Sequence, residues 1–205
     1  KAQYDPSFSH YYDMETSFNP SAAGRQAYLN VVAAYAMDMA GYEHNPRTAY
    51  VSADMPFRAL RSFHGVGVNF MNDQIGLFTH TKLNLQYAFQ MPLFKGHLRL
   101  GAEVGFISEK FDGSQVDLGD SSDPAFSTAD LTGSSIDLGA GLFYTHGQWY
   151  GGASVHHLNS PLVSLGDNNE LKILPTYYFT GGGNISFRNP FITLKPSLLF
   201  RTDGT

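Results

Sequence analysis

The chain of 205 residues contains no cysteine, which excludes disulfides, thiolate zinc sites and cysteine nucleophiles and leaves the redox compartment open. No apolar run approaches the ~18 residues of a spanning helix, so a helical membrane protein is excluded, although a membrane β-barrel is not. Basic residues are not in excess: 13 Lys plus Arg stand against 18 Asp plus Glu, a formal charge of −5. That balance gives no footprint for nucleic acid or for an acidic membrane surface. Charge of either sign is scarce, at 15 % of residues against the ~25 % usual in soluble domains. With 14 % aromatics and 21 glycines, the chain has too few charges for an ordinary wetted exterior.

What is present instead is a period of two. From Leu77 to Met91 one parity reads Leu77, Thr79, Thr81, Leu83, Leu85, Tyr87, Phe89 and Met91, and the other Phe78, His80, Lys82, Asn84, Gln86, Ala88 and Gln90. Such alternation marks a strand with one oily and one wet face. His97 to Glu109 and Ser135 to Thr145 repeat it, and Gln26 to Asp38, Arg47 to Phe57, His64 to Met71, Trp149 to His157, Ile173 to Phe187 and Phe191 to Thr202 fit less cleanly. These segments predict nine strands. Most exceed the ~5 to 6 residues of a globular strand and match the ~9 to 11 of a tilted transmembrane strand.

The connections alternate in length. Arg58 to Phe63, Pro92 to Gly96, Gly147-Gln148 and Arg188 to Pro190 are short, whereas Lys110 to Gly133 and Leu158 to Lys172, in the opposite set, are long. Outer-membrane barrels are built this way, with tight periplasmic turns and longer outside loops. Oily-parity aromatics fall beside both ends: Phe57, Phe89, Tyr144, Trp149 and Phe187 near the short turns, and Tyr35, Phe70, Phe106, Tyr177 and Phe200 towards the long loops. Two interfacial belts are expected from this. The predicted fold is therefore an all-β, antiparallel, up-and-down transmembrane barrel over residues 26–205, preceded by a periplasmic lead-in over residues 1–25. A lipocalin-like calyx, the soluble alternative, needs the oily faces inside and charge outside. Nine strands and a polar ending at Thr205 lead us to expect further strands after it, since bacterial barrels close with an even number.

Candidate chemistry is sparse. His156-His157 is conspicuous, but neighbours in a strand face opposite ways, which predicts His156 in the lumen, His157 at the interface and no shared metal. Asp117, Asp120, Asp123 and Asp130 lie in the longest loop without the spacing of a calcium cradle. Gly65-x-Gly67 and Gly181-Gly182-Gly183 lack the strand-turn-helix context of a phosphate loop and read as wall glycines. His146 with Ser154 is the nearest approach to a hydrolase pair. No catalytic residue, metal site or cofactor is assigned.

The lead-in differs in character. Tyr4-Asp5-Pro6-Ser7-Phe8-Ser9-His10-Tyr11-Tyr12 and Ser17-Phe18-Asn19-Pro20-Ser21-Ala22-Ala23-Gly24 are aromatic-rich and broken by Asp-Pro and Asn-Pro turns. Such a piece either plugs the barrel or docks a partner. Asp5-Pro6-x-Phe8-Ser9-x-Tyr11 with Asn19-Pro20-x-Ala22-Ala23-Gly24 resembles the opening signature of the PorP/SprF family, outer-membrane proteins of the type IX secretion and gliding apparatus of Bacteroidetes. Asn72-Asp73-x-Ile75-Gly76, Asp123-Pro124-Ala125-Phe126, Gly141-Leu142-Phe143-Tyr144, Trp149-Tyr150-x-Gly152-x-Ser154 and Leu194-Lys195-Pro196-Ser197 also look like family blocks. Ala22 departs from the aromatic common in that first Asn-Pro block.

The resemblance implies a non-enzymatic component that links the outer membrane to the periplasmic ring and peptidoglycan-binding parts, or retains cargo with a carboxy-terminal sorting domain. On this reading Asp5, Pro6, Phe8, Ser9, Tyr11, Asn19, Pro20 and Gly24 face periplasmic partners. Asp123, Pro124 and Phe126 face cargo, and lipid is the remaining partner. A passive porin-like channel is the alternative.

Overall fold

The computed structural model describes residues 14–38, 45–113, 131–165, 169–186 and 193–203. Nine antiparallel strands form one curled sheet, a half-barrel in outline: β1 (Asn30–Met37), β2 (Arg47–Ala59), β3 (Ser62–Ile75), β4 (Phe78–Leu93), β5 (Gly96–Phe111), β6 (Leu131–His146), β7 (Trp149–His156), β10 (Thr176–Gly183) and β13 (Ser197–Thr202). Each pairs with its neighbour along the chain in an up-and-down order. The nine predicted strands map onto these one for one. Several run further than the alternation showed, with β4, β5 and β6 each 16 residues long.

Two pairs of short strands were not expected. β8 (Leu162–Leu165) and β9 (Asn169–Lys172) make a hairpin within the long Leu158 to Lys172 connection. Val163 of this hairpin is buried with Ile107 and Ile173, so part of the connection folds onto the sheet's concave side. β11 (Ile185–Ser186) pairs with β12 (Thr193–Leu194) and prolongs the β10–β13 hairpin past Pro196, whose missing N–H interrupts the ladder.

The faces settle the choice between lipid and solvent. On β4 and β5 the oily parity is exposed, with Leu85 at 63 % and Val104 at 55 %, while Lys82, Asn84, Gln86 and Glu103 on the wet parity are buried. A calyx requires the reverse. The convex surface carries Leu83, Leu100, Phe106, Ile136 and Leu142, an apolar band of the kind that only hydrocarbon covers without penalty. No helix among the described residues is long and apolar enough to cross a membrane.

At the short-turn end the girdle is built around His64. Alternation puts His64 on the oily parity with Val66 and Val68, yet it is buried, because Phe57, Tyr87 and Phe89 close over it with ring centroids 5.1, 5.8 and 5.3 Å away. Its Nε2 donates to the Ala59 carbonyl at 3.0 Å, so Nδ1 accepts from the Tyr87 hydroxyl at 2.6 Å. A polar ring is thereby satisfied on the lipid side. Of the aromatics expected at the belts, Trp149, Tyr35, Phe70, Phe106, Tyr177 and Phe200 are exposed, and Phe187 lies outside the described residues.

Candidate functional site

The chain's own lead-in occupies the middle of the concave face and its short-turn end. Residues Met14 to Gly24 form two single 3-10 turns, Glu15–Ser17 and Pro20–Ala22. The second follows from its sequence. Asn19 caps it, its Oδ1 accepting from the Ser21 amide at 3.0 Å and the Ser21 hydroxyl at 2.6 Å, and Pro20 stands at the first position, where no N–H is needed. Met14, Phe18, Asn19, Ser21, Ala22 and Ala23 are all buried.

What holds the segment is almost wholly side chain to main chain. Asn69 and Gln86 donate to the Thr16 carbonyl at 2.8 and 2.7 Å. Ser154 and His156 donate to the Phe18 carbonyl, the latter through Nε2 at 2.8 Å. Arg99 donates to the carbonyls of Ser21 and Ala23 at 2.9 and 2.5 Å and to Gln90 at 2.8 Å. Asp54 accepts from the Gly24 amide at 2.8 Å, and Asn19 donates to the Leu142 carbonyl at 3.1 Å. An irregular buried backbone requires such partners, since it has no ladder of its own.

Two wall glycines permit the approach. A Cβ on Gly101 would enter the Pro20-Ser21 main chain, and one on Gly65 would enter the Ala23 carbonyl. Gly65, read from the sequence as a wall glycine, is thus a place of close backbone contact, whereas a Cβ on Gly181 would have no atom nearer than 3.8 Å. Gly24 itself sits at φ +65°, the left-handed region that lets the chain leave the wall and enter β1.

Behind the anchors lies a buried charge network. Glu103 approaches His156 Nδ1 at 2.7 Å and accepts from Gln86 at 2.9 Å, so it braces two of the groups that grip the lead-in. Asp137 lies 3.3 Å from Lys82 and 3.0 Å from His157 Nδ1. The expectation for His157 is corrected here. It is wholly buried on the concave side, because its φ of +57° breaks the strand's alternation and turns both imidazoles inward. They serve different carboxylates, and no group of metal-binding side chains occurs among the described residues. Towards the long-loop end His80 meets Glu109 at 2.6 Å, beside a cavity of about 700 Å³ that also touches Lys172 and Arg201.

Of the sequence-derived site residues, Asn19, Pro20 and Gly24 lie together against the wall, where their contacts are with the chain itself. Asp5, Pro6, Phe8, Ser9, Tyr11, Asp123, Pro124 and Phe126 lie outside the described residues, as do Asp117, Asp120 and Asp130. His146 and Ser154 are not brought together: Ser154 points to Phe18 inside, whereas His146 is exposed at a short turn beside the Lys95 carbonyl, 3.2 Å away. Glu103, Gln86 and Arg99 fall on the wet parity of their strands, but nothing in the sequence marks them, or Asp54, as clamps on the lead-in.

No curated protein and no solved structure matches the chain. The profile of one family, described as type IX secretion system membrane protein PorP/SprF, matches residues 1–205, its whole length. An oily convex sheet, a polar interior stoppered by the Asn-Pro block and this match agree, and the chain belongs to the PorP/SprF family of type IX secretion system membrane proteins.

Proposed function

We propose that the protein is a non-enzymatic outer-membrane component of the type IX machinery, a scaffold and not a conduit. The observation that carries this is the occupied interior: the lead-in residues Met14 to Gly24 take up the polar face that a solute channel would keep free. With the lumen committed to an internal segment, the two rims are left for contacts with other molecules. On this reading the lead-in end and the short turns face the periplasm, where Asp5, Pro6, Phe8, Ser9 and Tyr11 engage the ring and peptidoglycan-binding components. Asn19, Pro20 and Gly24 fix the direction from which that stretch emerges. The opposite end, with Asp123, Pro124 and Phe126, receives cargo bearing a carboxy-terminal sorting domain.

The test is co-purification from native membranes with Phe8→Ala combined with Tyr11→Ala. Recovery of ring components should fall while the barrel remains inserted. Undiminished recovery with a correctly inserted protein would overturn the assignment of the lead-in.

A further inference from the structure

The overall charge of −5 hides a segregation that the fold creates. The antiparallel register gathers the turns Leu60-Arg61, Phe94-Lys95 and Gly147-Gln148 and the β11–β12 ribbon at one rim. Arg58, Arg61, Lys95 and Lys195 are exposed there, with His97 and His146 between them. No Asp or Glu occurs in 55–66, 88–101, 142–152, 181–186 or 193–199, the stretches that build this rim. Among the described lead-in residues the one carboxylate, Glu15, is paired with Arg25. Asp73, Glu109, Asp112 and Asp203 fall at the other end, together with Arg47, Lys110, Lys172 and Arg201, so it is the acids that the fold segregates.

A second observation concerns the turn tips. Leu60 is 94 % exposed and Phe94 92 % exposed, and both hold left-handed backbone, at φ 50° and 51°. Large side chains at such positions are strained where glycine or asparagine would not be. Strain of this kind persists at sites of contact more often than elsewhere.

The level of these groups is set by the girdle. Phe57 is in register with His64, and Arg58 and Leu60 follow it within three residues, about 7 Å along the membrane normal for a strand tilted by ~40°. Lys95 lies three residues beyond Leu98, the partner of Tyr144. Lys195 adjoins Pro196, whose carbonyl accepts from Gly183, the partner of Trp149. A headgroup layer is about 5 to 7 Å deep, so Arg61 and Lys95, in the turns themselves, stand at phosphate depth, whereas Arg58 and Lys195 fall on the concave parity of their strands, at the inner lip of the same rim. Arg58 stacks over Phe63, 5.5 Å from the ring centre, on the same face as Asp54 and Gly65.

We infer that this rim binds the phosphates of anionic glycerophospholipids in the leaflet it meets, with Leu60 and Phe94 as apolar anchors among the headgroups. The turn-tip cations Arg61 and Lys95 follow the curve of the sheet beside Leu60 and Phe94. That arrangement fits a plane of headgroups better than a compact acidic protein. The inference rests on membrane insertion alone and not on the proposed periplasmic partners.

The test is native mass spectrometry of the full chain in detergent, titrated with phosphatidylglycerol or phosphatidylcholine. Phosphatidylglycerol should bind more tightly. Arg61→Gln with Lys95→Gln should remove that preference, lowering phosphatidylglycerol affinity by about 25-fold at roughly fivefold per cation. Arg61→Lys with Lys95→Arg should retain the preference and so controls for folding. Equal affinity for the two lipids, or a double Gln variant that binds phosphatidylglycerol like the parent, overturns the proposal. A double Gln variant that keeps lipid but loses co-purifying proteins also overturns it, in favour of a protein dock. The Phe8 and Tyr11 experiment is independent of all these outcomes.

Discussion

Glu103 lies 2.7 Å from His156 across β5 and β7, both side chains sealed from solvent, and the far nitrogen of the same imidazole reaches the Phe18 carbonyl. One carboxylate in the wall therefore sets the aim of a group that holds the lead-in, and through Gln86 it sets a second. Buried charge of this kind is costly unless paired, and its arrangement fixes where the partner segment can sit. The interior is thus an internal binding site for eleven residues of main chain, Met14 to Gly24.

Glu103→Gln keeps the shape but removes the charge facing His156. We expect a loss of about 1.5–3 kcal/mol in the stability of the folded barrel, measured by denaturant unfolding in detergent. An unchanged midpoint would mean that the pair contributes nothing to holding the interior.

Gly101→Val should push the lead-in off the wall without touching any anchor, because the added atoms enter the Pro20-Ser21 backbone. Ala22, 4 % exposed, reports this when replaced by cysteine: maleimide labelling should be slow in the parent and at least about tenfold faster with Gly101→Val, a shift within the ~1–3 kcal/mol cost of overpacking. Equal labelling rates would place the segment elsewhere.

Tyr87→Phe removes the donor to His64 and leaves a nitrogen unpaired under the aromatic girdle. The expected cost is about 1–3 kcal/mol, and His64→Phe added to Tyr87→Phe should recover part of it, since both polar groups then go. A double variant less stable than the single would argue against the assigned hydrogen bond.

Asp137→Asn withdraws the carboxylate shared by Lys82 and His157. A buried cation without its partner costs about 3–5 kcal/mol, so this variant should insert poorly, and Lys82→Met added to Asp137→Asn should restore insertion. Heat-modifiable mobility on gels reads both outcomes.

Much of the wall was legible because a strand between lipid and a wet interior must alternate. Leu83, Leu85 and Tyr87 against Lys82, Asn84 and Gln86 state it directly. The β8–β9 hairpin was not legible, since four-residue strands give too few positions for a period to show. His157 was misplaced because alternation assumes an extended backbone, and nothing local announces its left-handed turn. The clamp on the lead-in was hidden for a different reason. Arg99 and Ser21 meet through the fold alone, and a side chain reaching for a carbonyl leaves no pattern in the residue that supplies the carbonyl. The rim's basic character was concealed by the total, because five more acids than bases in the whole chain say nothing about where each sign collects.

The most direct measurement uses the absence of cysteine. Single cysteines at Leu83, Asn84, Leu85 and Gln86, spin-labelled in lipid vesicles, should alternate in their collisions with oxygen, high at Leu83 and Leu85 and low at Asn84 and Gln86. Low oxygen access at Leu83 and Leu85 with high access at Asn84 and Gln86 would turn the sheet inside out and contradict the account.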